Sequence, residues 1–134
     1  MSEENVELIR QAFEAFSRGD TDGVLTVCAE DIVITQAPEV PLGAPQQSGH
    51  AGVLEAFALW PEQWDDFRIN LERVVTDPGD HVVVTTRHSG RGKQSGVEVE
   101  ANFTYVFGIL DGKVREWRIY VTDGDALASL AEGD

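Results

Sequence analysis

A single cysteine, Cys28, among 134 residues excludes an internal disulfide and any thiolate metal cluster drawn from one chain. Basic side chains are also scarce, with 10 Lys and Arg against 24 Asp and Glu and a formal net charge of −14. A surface of that sign repels phosphate-backed polymers and anionic bilayers, so neither nucleic acid nor membrane is expected as a partner. No apolar run approaches the ~18 residues of a membrane span. The N-terminus, MSEENVELIR, has no basic region followed by an apolar one. With the lone thiol, these absences make a reducing cytoplasm the expected location. No His-x-x-x-His or carboxylate–histidine cluster suggests a metal, and no cofactor is expected.

What is present is enough for one core. Hydrophobic residues make up 42% of the chain, and residues 1–134 fall within the size of a single domain. Ser2, Glu3 and Glu4 read as the capped acidic start of a helix whose Val6, Ile9, Phe13 and Phe16 recur at helical spacing until Gly19. Asp20 caps a second helix, about residues 21–28, with Val24, Leu25 and Cys28 on one side. A short β-branched strand, Asp31 to Gln36, precedes a loop carrying Pro38, Pro41, Gly43, Pro45 and Gly49, of a length found in lids, binding loops and flexible filler. His50 to Trp64 reads as a third helix with Val53, Leu54, Phe57, Ala58 and Trp60 on its apolar side, ended or bent by Pro61.

Beyond it, four long strands meander through Phe67–Asp77, His81–Gly90, Val97–Leu110 and Val114–Thr122, with a hairpin signal at Asp111-Gly112. Strands of that length twist strongly, so the expected class is α+β: helices packed on a strongly curved, mainly antiparallel sheet. Gly108 is a bulge candidate, and a short terminal helix starts at Asp123 and Asp125.

In the third long strand the odd positions Val97 to Ile109 are apolar or aromatic, so that face is inward. In the last strand Trp117, Ile119 and Val121 share a face, assigned inward. Val106, Val114 and Tyr120 remain outside, which predicts a homodimer through the outer sheet face.

The order of elements resembles the SnoaL-like branch of the nuclear transport factor 2-like superfamily. The residues that carry the likeness are Gly49 to Gly52, Trp64 to Phe67, the segment from Asp111 to Tyr120, and Asp125 to Leu127. The resemblance implies a cone-shaped α+β barrel (cystatin-like) enclosing one pocket. Its members include polyketide cyclases, steroid isomerases, dehydratases and epoxide hydrolases beside non-catalytic modules, so the fold leaves function open.

Two of those chemistries lack their residues. The first strand ends without an acid, and Phe13 and Phe16 hold the helix face from which a steroid isomerase supplies its tyrosine, while positions 101, 103 and 105 carry Ala, Phe and Tyr. Against the limonene-epoxide-hydrolase pattern, Arg87 looks like the arginine, Trp117 like the tryptophan and Gln36 like the amide. Ser89 and Ile119 stand where both acids should be, so the water has no base.

An inward Arg87 must pair with a carboxylate, such as Glu55, Glu62 or Asp66, or meet an anionic ligand. His88 alternates away from Arg87 and is assigned outward. His50, beside the Pro-rich loop, is a candidate acid or base. Tyr105 carries a hydroxyl that needs a partner when buried. Phe13, Phe57, Trp60, Trp64, Phe103, Trp117 and Ile119 complete the expected lining with Gln36 and Ser89. One expectation is a pocket for a small hydrophobic molecule, polyketide-, aromatic- or terpenoid-like, serving a cofactor-independent isomerase, cyclase or lyase. The other is a non-catalytic binding or dimeric interaction module.

Overall fold

Helix α1, Ser2–Ser17, carries Glu3 and Glu4 in its first turn, where carboxylates meet the positive end of the helix dipole. It stops at Gly19, whose φ of 74° suits a residue without a Cβ. The Asp20 side chain then accepts a hydrogen bond from the Gly23 N–H and starts α2, Thr21–Val27. The computed structural model describes residues 2–37, 46–76 and 79–132, and their side chains except those at 2, 59–63, 131 and 132.

The remaining described elements are β1 (Cys28–Gln36), β2 (Gln46–Ser48), α3 (Gly49–Gln63), β3 (Trp64–Thr76), β4 (His81–Gly92), β5 (Glu98–Leu110), β6 (Lys113–Tyr120) and α4 (Asp123–Glu132). They form the expected α+β architecture, with the strands in one curved sheet of order β2-β1-β6-β5-β4-β3. Among the described strands only the β1–β6 pair is parallel.

Several boundaries differ from the sequence reading. Cys28 opens β1 instead of closing α2, because its φ of −98° and ψ of 138° are extended. The Pro-rich segment delivers β2, which pairs with Val33 to Thr35 of β1. Residues 38–45, where a lid or filler loop was expected, lie outside the described residues. Helix α3 runs two residues beyond Pro61.

The main core lies between the sheet's inner face and α1 to α3. It gathers Ile9, Val24, Ile34, Val53, Val82, Val84, Tyr105, Phe107, Trp117 and Ile119. A second, smaller cluster lies on the outer face, where Ala126 and Leu130 of α4 cover Val83 and Val106 and pack beside Tyr120. Val106 is therefore buried within the chain. Val114, also expected outside, faces inward and is buried, because a register shift opposite Gly108 and Ile109 inserts Arg115 and turns the strand over. The apolar outer positions that suggested a second copy are thus largely accounted for by α4 and a bulge.

Candidate functional site

Strand β4 is the element whose phase differs from expectation. Its antiparallel register with β5 pairs Val84 with Tyr105, Thr86 with Phe103 and His88 with Ala101. Directly opposed residues share a face, so the even positions of β4 point inward with the odd positions of β5. His88 is accordingly 5% exposed.

Arg87 points the other way, against the expectation that it enters the interior. Its side chain is 45% exposed, opposite Asn102, with Glu72 at 3.8 Å and Glu100 at 3.9 Å. Those two acids, on neighbouring strands, stand where Glu55 or Asp66 was expected, and Asp66 lies 3.7 Å from Arg91 instead; the Glu62 side chain is outside the described set. The physical reason is simple: a guanidinium among apolar side chains needs a buried counter-charge, and none of the described inner residues supplies one.

With His88 inside, Tyr105 has its partner. His88 Nε2 lies 2.5 Å from the Tyr105 hydroxyl oxygen. Three rings surround the imidazole edge-on, Phe103 at 4.8 Å and Phe67 and Tyr105 at 5.7 Å between centroids. Burial among them lowers the His88 pKa to about 4, so the ring is neutral at pH 7. Burial also pushes the Tyr105 hydroxyl well above its ordinary range, partly offset by a hydrogen bond with Thr86.

Two voids adjoin this pair. One, of about 180 Å³, is lined by Trp64, Phe67, His88, Ser89, Val99 and Phe103, together with Gly90 and Ala101. The other, of about 60 Å³, is wholly apolar in character, with Phe13, Phe16, Phe57, Tyr105, Phe107 and Trp117 among its walls. His88 faces the larger void and Tyr105 the smaller one, so their hydrogen bond joins the two linings.

A bulge shapes the larger void. Between the pairs Asp65–Arg91 and Arg68–Ser89 the register of β3 slips, and Asp66 takes a φ of 54°. Aspartate tolerates that left-handed conformation better than most residues. The extra residue lets both Trp64 and Phe67 line the void, where strict alternation would separate them. Gly90 opposite is part of the fit, since a Cβ there would meet Trp64 Cβ at 3.3 Å and Phe67 Cδ1 at 3.5 Å.

The other expected site residues divide by position. Phe13 stacks on Tyr105 at 6.2 Å, and Phe57 lies 6.2 Å from Trp117, both around the smaller void. Trp64, Ser89 and Phe103 line the larger one. Gln36 and Ile119 are paired across β1 and β6 and buried, Ile119 opposite Tyr105 and Gln36 one strand farther away, but line neither void. The Gln36 Oε1 is buried with no hydrogen-bond partner among the described residues. The Trp60 side chain is outside the described set.

His50 is elsewhere. Its Nε2 contacts the carbonyl oxygen of Cys28 at 3.0 Å, at the opposite end of β1 from Gln36. It borders an open groove with Glu30, Asp31, Lys113 and Arg115, in which Arg115 pairs with Asp31. Cys28 beside it is buried, and burial pushes its thiol up to about 11 against the pull of Lys113, so it is no nucleophile at neutral pH. Among the described residues no group of three or more His, Cys, Asp or Glu side chains is placed to hold a metal ion. No described helix is long and apolar enough to cross a membrane.

A family model described as a SnoaL-like domain matches residues 9–117. The chain belongs to the SnoaL-like family. Among solved structures, an NTF2-like protein from Burkholderia xenovorans is 30% identical with a TM-score of 0.75, over 96% of this chain and 95% of that one. A putative SnoaL-like polyketide cyclase from Jannaschia sp. is 22% identical with a TM-score of 0.75, over 96% of this chain and 91% of that one. TerC, co-crystallized with polyporic acid, is 24% identical with a TM-score of 0.75, over 96% of this chain and 98% of that one. The last two likenesses are of fold. Among curated proteins none matches the sequence. Within the SnoaL-like frame, His88 is the site residue that sequence reasoning set aside. The polar odd positions Thr85, Arg87, Ser89 and Arg91 were the signal that β4 turns its even positions inward.

Proposed function

We propose that this SnoaL-like domain is a small-molecule pocket protein that takes one ring of an aromatic or polyketide-like compound into the void beside His88. The observation that carries this reading is a neutral, buried imidazole, hydrogen-bonded to Tyr105, on the wall of a void of about 180 Å³ whose other described side chains are apolar except Ser89. About 150 Å³ of apolar space is enough to hold benzene in a protein interior. Apolar walls with one or two polar groups are the usual form of a site that binds by burial and orients by hydrogen bonding. A solved relative of the same fold is named a putative polyketide cyclase, and another was crystallised with polyporic acid, which supports a cyclic ligand.

Among the described residues the lining of both voids contains no carboxylate. Proton transfer in an isomerase- or cyclase-type reaction would therefore fall to His88, with Tyr105 holding the ring in place. An imidazole that titrates near 4 is a weak base at neutral pH, so binding is the primary role of the site and turnover a secondary one. In the surface groove at His50, Arg115 pairs with Asp31 and Lys113 donates to the Thr26 carbonyl, and the groove does not compete for this role.

A thermal-shift screen of single-ring and fused-ring phenols, quinones and ketones tests the reading. A compound at 100 times its Kd stabilises the fold by about 2.7 kcal/mol. Ala101→Leu fills the void from its lining, and it abolishes the shift while keeping the fold. Unchanged shifts in Ala101→Leu, or no shift with any compound, contradict the proposal.

A further inference from the structure

The inward side of the sheet changes from buried to exposed at one end of β5. Phe103 is 7% exposed, Val99 40% and Val97 57%, although alternation puts all three on the side that faces the helices. Two valines so exposed on that side mark a stretch of the inner face that the described helices leave uncovered.

That stretch continues the larger void. Phe103, Ala101 and Val99 stand opposite Thr86, His88 and Gly90 of β4, and the next inward position, Gly92, donates its N–H to the Val97 carbonyl at 3.0 Å. On β3, Ile69 stands beside His88 and Trp64 beside Gly92. Two residues of strand advance about 6.6 Å, so about 13 Å separates the His88 row from the Val97 row. The flanking strands β3 and β5 are two strand spacings apart, about 10 Å between backbones, which their side chains narrow to the width of one ring. Between them Gly90 leaves the floor without a side chain. At Gly92 the corresponding place is taken by Ser95 Oγ, 2.7 Å from where a Cβ would stand, so the apolar path leaves past Val97.

We propose that the void is the closed inner end of a trough that opens at Val97, so that its ligand is long and narrow, with one ring beside His88 and an apolar extension in line with it covering Val99 and Val97. This rests on the void being a ligand pocket and adds the shape of what the pocket takes. An in-line substituent follows the trough outward. A substituent beside the ring meets Trp64 and Phe67 on one side or Val99 and Ala101 on the other, all of which line the void. Gly90, Val99 and Val97 are then the residues that set ligand length, and none of them is polar.

The test titrates benzene, para-diethylbenzene and ortho-diethylbenzene into the isotope-labelled protein, followed by its amide and methyl signals. The two diethylbenzenes contain the same atoms and differ in shape alone. The para isomer binds about tenfold tighter than the ortho isomer, the worth of covering about 55 Å² more apolar surface at about 25 cal/mol per Å². It moves the Val97 methyl signals, whereas benzene moves those around His88 and leaves Val97 still. Val97→Asp, at an exposed position, removes the margin between the isomers. Leu110→Asp, comparably exposed at the other end of β5, keeps it.

Equal affinities for the two isomers in the wild type, or a tighter ortho isomer, overturn the trough and leave the pocket standing. A margin that survives in Val97→Asp overturns the opening at Val97. Absence of binding by all three compounds overturns the pocket and the trough together.

Discussion

His88 and Tyr105, four positions off register on the inner faces of β4 and β5, meet through a 2.5 Å hydrogen bond. Flat strands would hold such residues well apart, so the bond is a product of the sheet's curl. It ties the lining of the larger void to that of the smaller one, and most of the account can be tested at these two side chains.

Tyr105→Phe keeps the ring that packs against Phe13, Phe107 and Trp117 and removes only the hydroxyl. His88 then loses a buried partner, and a polar group left so costs about 1–3 kcal/mol. Urea unfolding should show a loss in that range with an unchanged m value.

Acid should weaken the fold through His88. Its folded pKa of about 4 lies below the ordinary 6.5, so between those values the unfolded chain binds more protons. The stability contributed by the neutral ring is complete above pH 6.5 and is lost as pH falls towards 4. Between about pH 7 and about pH 4.5 the wild type should lose roughly 2–3 kcal/mol more than His88→Gln. Equal losses in denaturation curves of the two proteins would place the imidazole in water.

On the outer face Asp123 anchors α4. Its carboxylate accepts from Thr104 at 2.5 Å, from Arg73 at 2.9 Å and from Thr85 at 3.2 Å. Asp123→Ala should cost about 1–3 kcal/mol. Hydrogen exchange should speed up in α4 and at Val83 and Val106 beneath it, before the inner core is affected. Uniform acceleration through the whole sheet would contradict a local anchor.

Arg87→Ala should change stability by less than about 0.5 kcal/mol, because its ion pairs are exposed and long. Ligand affinity should also be unchanged. A large loss of either would restore an interior role for this side chain.

These outcomes bear on what the sequence could reveal. The inner face of β5 was legible because seven alternate residues, Val97 to Ile109, are apolar while their neighbours begin polar. In β4 the run Val82-Val83-Val84 is buried on both sides, by the main core and by α4, so hydrophobicity gave no phase there. Likeness to an epoxide hydrolase places Arg87 inward, which puts His88 outside. The need of Tyr105 for a partner was legible, and its partner was one alternation away. The Asp66 bulge left no comparable mark, since two adjacent aspartates equally suit a turn. Strand β2 is three residues long with no apolar pattern, and it exists because β1 offers it an edge.

The most direct test of the pocket is chemical-shift mapping of the labelled protein against the aromatic compound that stabilises it most. The account predicts the largest changes at His88, Phe67, Ala101 and Phe103. Changes centred on Arg87, Glu72 and Glu100, or at His50, would contradict it.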